Sequence, residues 1–129
     1  MTLVSGRAEH TGGVALPILK GESVGVNGSI RGRVVLVCSP DRIYREWTSD
    51  EVAVVKQDLL DHFSKNPGDM EHLLKNACAV ISEGGDPLGV LASTAFIHEV
   101  ICLIQVKDAC YVLEDGMEIR VSAIENTGE

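Results

Sequence analysis

The stretch "SEGGDPLGVLASTAFIHEV", residues 82–100, decides how this chain folds. Two adjacent glycines, Gly84 and Gly85, follow an apolar run, and apolar residues at helical spacing follow the glycines. Aspartate, as at Asp86, is a good cap for a helix N-terminus, and proline, as at Pro87, suits the first helical position. The stretch therefore predicts a buried strand, a tight glycine turn and a helix that Asp86 caps.

The predicted turn has the layout of a phosphate-binding loop, but its charge is wrong for phosphate. No His, Lys, Arg or Cys lies between Ser82 and Phe96. The free N–H groups at a helix N-terminus attract anions. A capping Asp86 would occupy some of these donors, and together with Glu83 it would repel a phosphate at close range. We therefore expect the shape of the loop to persist without phosphate chemistry.

The composition indicates a single α/β domain spanning residues 1–129. Hydrophobic residues make up 45% of the chain and aromatic residues only 4%, so the core is built from Val, Ile, Leu and Ala. Such a core suits a parallel or mixed sheet packed by helices. No apolar run approaches the roughly 18 residues of a membrane span, and the N-terminus lacks the pattern of a signal peptide. We expect a cytoplasmic protein that has no membrane partner.

Charge and side-chain chemistry exclude several functions. With a net charge of −8, the chain is not expected to bind nucleic acid or an anionic membrane surface. Its four cysteines form no C-x-x-C motif, and three of them lie inside apolar runs. This pattern indicates buried small hydrophobic residues in a reducing compartment. No two histidines are four residues apart, so we expect no metal site, and no cofactor is predicted.

Apolar runs predict the strands of the sheet. They cover residues 14–19, 33–38, 77–81 and 100–104, with an alternating, half-exposed strand at 117–121. The strand–helix–strand order after residue 77 predicts parallel pairing through a right-handed crossover. The glycine-rich first quarter predicts a second β layer, with a turn at Asn27–Gly28.

The clearest helix is predicted at about 48–64. Thr48 and Glu51 form a capping box, and apolar residues recur at helical spacing after it. The Asn-Pro-Gly sequence at 66–68 ends this helix. A second, short helix is predicted at 70–76.

Three segments carry a resemblance to a known family. They are "NPGDMEHLLKNACAVISEGG" at 66–85, "DACYVLEDGMEIRV" at 108–121 and "SAIENTG" at 122–128. In order and content they resemble the phosphohistidine swivelling (mobile) domain of phosphoenolpyruvate-utilising enzymes, such as phosphoenolpyruvate synthase and pyruvate phosphate dikinase. The resemblance implies a swivelling β/β/α fold, with a mainly parallel sheet, helices on one side and a second β layer. It also implies that the predicted helix at 48–64 is an insertion in this chain.

The resemblance does not extend to the catalytic residue. In the family a histidine near the start of the helix takes the phosphoryl group, and its position here falls near Leu88, Gly89 or Val90. None of these can be phosphorylated, so no catalytic residue is predicted. His98 lies about nine residues further on, which is roughly 14 Å along a helix. We expect His98 to cap the helix C-terminus, where a cation is favoured.

Three functions remain open at this point. The first is a non-catalytic, regulatory module that binds a partner protein or a small ligand, and a nucleotide-binding kinase-type subunit would be such a partner. Its docking surface would include the helix predicted at 48–64 and the aromatic residues Tyr44 and Trp47 before it, since aromatics often anchor interfaces. The alternative for Trp47 is packing against its own domain. The second function is an active phosphocarrier whose nucleophile has moved, to His98 or His72.

The third function is the small subunit of an aconitase-like hydro-lyase, which would have a hydro-lyase-type large subunit as its partner. The segments "SIRGRVVLV" at 29–37 and "DPL" at 86–88 are weakly similar to that family. There Ser39, at the end of a predicted strand, would contact a carboxylate or phosphate of the substrate, because ligands lie beyond the carboxyl ends of such strands. The resemblance to the phosphoenolpyruvate-utilising family is the stronger of the two.

Five residues are predicted to bind a ligand, because all of them follow strands at one edge of the sheet. They are Ser39, Ser82, Gly84, Gly85 and Asp86. A pocket lined by these residues would favour ligand binding, and a filled, convex surface would favour a docking role. The sequence leaves the oligomeric state open.

Overall fold

A computed structural model of the chain describes residues 6–10, 19–26, 28–86 and 89–123. Within these ranges the chain forms seven strands, four α-helices and a short 3-10 turn at Pro40–Arg42. The strands are β1 (Gly6–His10), β2 (Leu19–Ser23), β3 (Gly28–Val37), β4 (Glu51–Val55), β5 (Ala79–Ser82), β6 (Ile101–Ile104) and β7 (Glu118–Ala123). The helices are α1 (Leu59–Lys65), α2 (Pro67–Asn76), α3 (Val90–Ile97) and α4 (Ala109–Val112).

The strands close into one barrel in the order β1-β2-β6-β5-β4-β3-β7. Strands β3, β4, β5 and β6 pair in parallel, and the remaining pairings are antiparallel. The expected α/β class and the parallel crossover after residue 77 are therefore confirmed. The swivelling β/β/α layout with a second β layer stays a prediction. The sheet is mixed instead of mainly parallel, because β1 pairs with β7 and β2 pairs with β6, both antiparallel. These pairings join the two edges of the parallel segment into one mixed sheet.

Buried side chains form two clusters, one on each side of the sheet. The inner cluster fills the barrel, and it consists of Val34, Val52, Val54, Ala79, Ile81, Leu103, Val106, Ala109, Leu113, Ile119 and Val121. The outer cluster joins α1, α2 and α3 to the parallel strands, and it includes Val35, Val37, Val55, Leu59, Phe63, Met70, Leu73, Leu74, Val80, Leu91, Ala95 and Ile104. Because both faces of the parallel strands are covered, these strands are continuous apolar runs in the sequence.

The prediction of a helix at 48–64 is wrong for the first half of this segment, which contains strand β4. The carboxylate of Glu51 does accept a hydrogen bond from the Thr48 N–H, at 3.0 Å, as in a capping box. The chain then enters the sheet between β3 and β5 instead of a helix. Residues 52–55 are all fully buried, which is typical of a parallel strand covered on both faces. The predicted insertion is therefore a strand followed by the short helix α1.

The other described elements follow the predictions more closely. Strands β3, β5, β6 and β7 and helix α2 confirm the elements predicted at 33–38, 77–81, 100–104, 117–121 and 70–76, and β3 begins five residues earlier than predicted. Most of the strand predicted at 14–19, and Asn27 of the predicted turn, lie outside the described residues.

Trp47 packs against its own domain. Its ring contacts the outer cluster, and its Nε1–H donates a 2.9 Å hydrogen bond to the carbonyl of Ile43. The guanidinium of Arg45 lies 5.1 Å from the centre of the indole ring. Of the two alternatives for Trp47, packing against its own domain is therefore confirmed.

The cysteines differ more in burial than their sequence pattern indicates. Cys102 is buried, Cys78 and Cys110 are half-buried, and all four cysteines are free thiols. The expectation of burial is wrong for Cys38, which is exposed because β3 ends one residue before it.

Of the helices in the described ranges, none has the length and apolar character needed to cross a bilayer.

Candidate functional site

The glycine pair joins strand β5 to helix α3, as the sequence predicts. Gly85 has φ +117°, a conformation that side-chain-bearing residues rarely adopt. Gly84 leaves room for α1, because a Cβ atom there would lie 2.9 Å from Cδ1 of Leu60 and this side chain would have to shift. The first glycine therefore allows close packing on α1, and the second allows the turn.

Hydrogen bonds from the segment after β6 hold this loop in place. The N–H of Gln105 donates to the carbonyl of Gly84 at 3.0 Å, and its side-chain Nε2 donates to the carbonyl of Gly85 at 3.1 Å. The N–H of Val106 donates to the carbonyl of Ser82, also at 3.0 Å. Three carbonyl groups of the loop therefore accept hydrogen bonds from within the fold, and these bonds hold the loop at the end of the barrel.

Asp86 is not the N-cap residue of helix α3, contrary to the prediction. The helix begins at Val90, and its N-cap is Gly89. The N–H of Gly89 instead donates to the backbone carbonyl of Asp86 at 2.8 Å, which closes a turn before the helix. Because of this turn, the helix starts three residues later than predicted. Pro87 and Leu88, the predicted first helical residues, lie outside the described residues.

Glu83 has a structural role that the sequence did not indicate. One carboxylate oxygen accepts a hydrogen bond from the N–H of Gln57 at 3.1 Å, and the other accepts one from the N–H of Cys110 at 2.9 Å. The side chain therefore links the loop after β5 to the segments that enter α1 and α4. Its charge lies close to the loop, as expected, but both oxygens are engaged within the fold.

Ser39 and Ser82 do not meet in one pocket. Ser82 is fully buried at the end of β5, and its Oγ has no hydrogen-bond partner among the described residues. Ser39 is half-buried at the start of the 3-10 turn after β3, and its side chain makes no capping bond. Strand β4 lies between β3 and β5, so the two strands are about 10 Å apart. The predicted five-residue site is therefore divided between two places.

A cleft of about 220 Å³ lies beside the loop, between α1, α2 and α3. Its lining is mostly apolar and consists of Leu60, Phe63, Ser64, Met70, Gly85, Asp86, Gly89, Val90 and Leu91. Of the five predicted ligand-binding residues, Gly85 and Asp86 line it, and Ser39, Ser82 and Gly84 do not. Typical small-molecule sites have roughly 300–1,000 Å³, so this cleft suits a single apolar side chain better than a large ligand.

Helix α3 carries apolar side chains on both of its faces. Leu91, Ala92 and Ala95 are buried against the barrel. On the opposite side, Val90, Phe96 and Ile97 are 59%, 66% and 73% exposed. The exposed face begins at the cleft, because Val90 belongs to both. We call Val90, Phe96 and Ile97 the α3 apolar face. Exposed apolar surface of this kind is typical of interaction sites.

His98 caps the C-terminus of α3, which confirms the prediction. Its backbone N–H donates to the carbonyl of Thr94 at 3.0 Å. Its ring Nε2 lies 3.0 Å from the carboxylate of Glu71 on α2. The imidazole therefore joins two helices, and it lies at the end of α3 opposite to the glycine loop.

A cluster of polar side chains lies between the 3-10 turn and the helices α1 and α2. The sequence did not indicate this cluster. The hydroxyl of Tyr44 donates to Asp69, and Nε2 of His62 lies 2.6 Å from the same carboxylate. The ring of His72 lies 4.3 Å from the ring of Tyr44. Hydrogen bonds from Tyr44 and His62 hold the pKa of Asp69 below its usual value. These residues come from separate elements and form no motif, so no local pattern indicates the cluster.

The chemistry available at the glycine loop is limited. Between Ser82 and Gly89 the described side chains with polar atoms are those of Ser82, Glu83 and Asp86, which include no phosphoryl-accepting imidazole. Among the side chains that the structure describes, no three His, Cys, Asp or Glu residues are grouped to hold a metal ion. No protein-family model matches the sequence, and no match to a curated protein is found.

Proposed function

We propose that this protein is a swivelling β/β/α domain related to the phosphohistidine domain of phosphoenolpyruvate-utilising enzymes, and that it binds a partner protein without transferring phosphate. The observation that carries the proposal is the α3 apolar face beside an apolar cleft, at a loop without a phosphoryl acceptor. The resemblance over residues 66–128 supports the family relationship. A strand–glycine–helix path at the carboxyl edge of parallel strands is compatible with it.

The loop residues support the absence of phosphotransfer. The family position for the phosphorylated histidine falls at 88–90, where Gly89 and Val90 have no nucleophilic atom. The carbonyl oxygens of the glycine pair are bonded to Gln105, and the carboxylate of Glu83 is bonded to backbone N–H groups. A phosphoryl group near the loop would find no acceptor and would meet two carboxylates.

The surface beside the loop is compatible with a protein interface, which has an apolar centre and a polar rim. The α3 apolar face and the cleft supply the centre, and exposed polar residues, Asp86, Ser93 and Glu99, supply a rim. The small volume of the cleft favours an inserted side chain of a partner over a free metabolite. Given the resemblance to phosphoenolpyruvate-utilising enzymes, we propose a nucleotide-binding kinase-type subunit as the partner.

The alternative functions have less support in the geometry. The hydro-lyase subunit needs Ser39 at the ligand, and Ser39 is separated from the cleft and from Ser82. For a relocated phosphocarrier, both candidate histidines are engaged within the fold, since Nε2 of His98 lies against Glu71 and the ring of His72 lies against that of Tyr44. We also propose a cytoplasmic location, since all four cysteines are free thiols.

Phosphotransfer is tested by incubating the full chain with radiolabelled phosphoenolpyruvate, or with ATP, and a purified kinase domain of the phosphoenolpyruvate synthase type. We expect no acid-labile label on the chain. Acid-labile label that maps to His98 or His72 would overturn the proposal in favour of a phosphocarrier.

Partner binding is tested by affinity capture on the immobilised chain from extracts of its own cells. We expect the wild type and Tyr111→Ser to retain the same kinase-type protein and Phe96→Ser/Ile97→Ser to lose it. Tyr111 is a matched control, because it is 88% exposed and lies on α4 instead of α3. Equal capture by all three proteins would exclude the α3 apolar face, and capture of a hydro-lyase large subunit would support the alternative.

A further inference from the structure

Two cysteines that are far apart in the sequence meet at one end of the barrel. Cys38 directly follows β3, and the alternation of the strand places it on the same face as Leu36, which packs against the inner cluster. Cys110, on α4, packs against the same cluster, and its Sγ lies 3.9 Å from the carbonyl oxygen of Val54. Val54 is the neighbour of Leu36 across the β3–β4 pair. The Cys38 thiol is one of the groups that raise the pKa of the Cys110 thiol, so the two side chains are neighbours.

The two thiols differ in access to solvent. Cys38 is exposed, whereas Cys110 is half-buried. Burial, and then the nearby carboxylate of Glu83, raises the pKa of the Cys110 thiol to about 12. Cys110 therefore stays protonated at neutral pH, and Cys38 is the sulfur that an oxidant in solution meets first.

We propose that Cys38 and Cys110 are a redox modification site, which forms a reversible intramolecular disulfide on exposure to a hydroperoxide. The Cys38 sulfur attacks the peroxide, the O–O bond breaks, and the products are a sulfenic acid and a molecule of water or alcohol. The Cys110 sulfur then attacks the Cys38 sulfur while the Cys110 thiol proton passes to the leaving hydroxyl group, so that water is released and the S–S bond forms. In total the thiols lose two electrons and two protons, and the peroxide gains both. A dithiol reductant restores the thiols by exchange.

The disulfide would join the end of β3 to α4, next to the candidate site. The backbone N–H of Cys110 donates to Glu83, which directly precedes the glycine pair. A bond at Cys110 therefore constrains the helix that holds Glu83. Because the bond closes a long loop of the chain, we expect the oxidised protein to melt at a higher temperature than the reduced protein. This inference does not depend on the proposed partner function.

The test treats the reduced full chain with hydrogen peroxide, unfolds it in denaturant to block the remaining thiols with an alkylating reagent, and maps the peptides without reduction. We expect one cross-linked peptide pair that contains Cys38 and Cys110, and recovery of both thiols with dithiothreitol. Cys78→Ser should form the same cross-link, and Cys38→Ser should form none and leave Cys110 open to alkylation. Cys38 is exposed, so its replacement should not prevent folding.

Two outcomes would overturn the proposal. One is oxidation of Cys38 to sulfinic acid while Cys110 is recovered as the alkylated thiol. The other is a cross-link that persists in Cys38→Ser or that joins two chains. Either outcome would mean that the two sulfurs do not react together in the folded protein.

Discussion

The carboxylate of Glu83 accepts a hydrogen bond from the backbone N–H of Cys110, with 2.9 Å between Oε2 and N. Its other oxygen accepts a hydrogen bond from the N–H of Gln57 at 3.1 Å. One side chain of the glycine loop thereby engages two otherwise separate segments at the carboxyl edge of the parallel strands. The sequence alone suggests that Glu83 repels phosphate. In the fold, the hydrogen bonds of Glu83 connect the end of β5 to two helical segments.

Replacement of Glu83 by glutamine should destabilise the protein. The amide keeps one acceptor oxygen and turns an NH₂ group towards the other backbone N–H, so one donor loses its partner. We expect a cost of about 1–3 kcal/mol in the free energy of unfolding, measured by urea denaturation. Glu46→Gln is the control, since Glu46 is exposed. Equal stability of Glu83→Gln and wild type would mean that these two hydrogen bonds contribute nothing.

Replacement of Gly85 by alanine should destabilise the loop through both conformation and space. The backbone has φ +117°, and the added Cβ would lie 3.0 Å from Cγ2 of Ile104. We expect a loss of about 1–3 kcal/mol. Gly68→Ala is the matched control, because a Cβ at Gly68, within α2, meets nothing within 4 Å. That substitution should be neutral or stabilising by up to about 1 kcal/mol. If Gly85→Ala and Gly68→Ala changed the urea midpoint equally, the claim that the loop at Gly85 is strained would be wrong.

Replacement of Ser82 by alanine should leave the protein as stable as the wild type or make it more stable. The Oγ of Ser82 is buried without a hydrogen-bond partner among the described residues, so its removal relieves a desolvation cost of up to about 1–3 kcal/mol. Thermal melting of Ser82→Ala against the exposed-site control Ser49→Ala measures the effect. A clear fall in melting temperature confined to Ser82→Ala would indicate that the hydroxyl is hydrogen-bonded in solution.

The acid stability of the protein should depend on Asp50. Hydrogen bonds from Arg33 and then from Thr48 lower the pKa of this carboxyl from 3.8 to about 2. Because the pKa is lower in the folded state, the stabilisation is present above the unfolded pKa, near 4, and is lost as the pH falls towards 2. Asp50→Asn should therefore flatten the change of urea midpoint with pH between these values.

The effect of Asp50 should be small and sensitive to salt, since the side chains of Arg33 and Asp50 are 47% and 53% exposed. Asp58→Asn is the control, because Asp58 is exposed and makes no side-chain ion pair within the described part of the chain. Parallel curves for Asp50→Asn and the wild type below pH 4 would contradict the assignment.

Local patterns predicted those elements whose physical causes are local. The apolar run, the two glycines and the helical spacing after them predicted the path from β5 to α3, and the structure has that path. His98 was predicted as a helix C-cap from its position alone. The same patterns misplaced the start of α3, because a turn closed by the Asp86 carbonyl and the Gly89 N–H comes before the helix.

The segment at 51–55 illustrates where local patterns fail. Its Thr48–Glu51 contact is the one that a capping box makes, so the prediction of a helix had a sound local basis. The strand forms because β3 and β5 pair with it on both sides and two apolar clusters cover its faces. Those partners are distant in sequence, and no window around residue 51 contains them.

The sequence by itself determined the α/β class, the aliphatic core and the glycine turn, because hydrophobic periodicity and glycine conformation act over a few neighbouring residues. Only the tertiary structure decided the closure of the barrel, the inward engagement of Glu83, the separation of Ser39 from Ser82, and the meeting of Cys38 with Cys110. These features depend on contacts between residues far apart in the chain, and burial and hydrogen bonding at such contacts outweigh local preference.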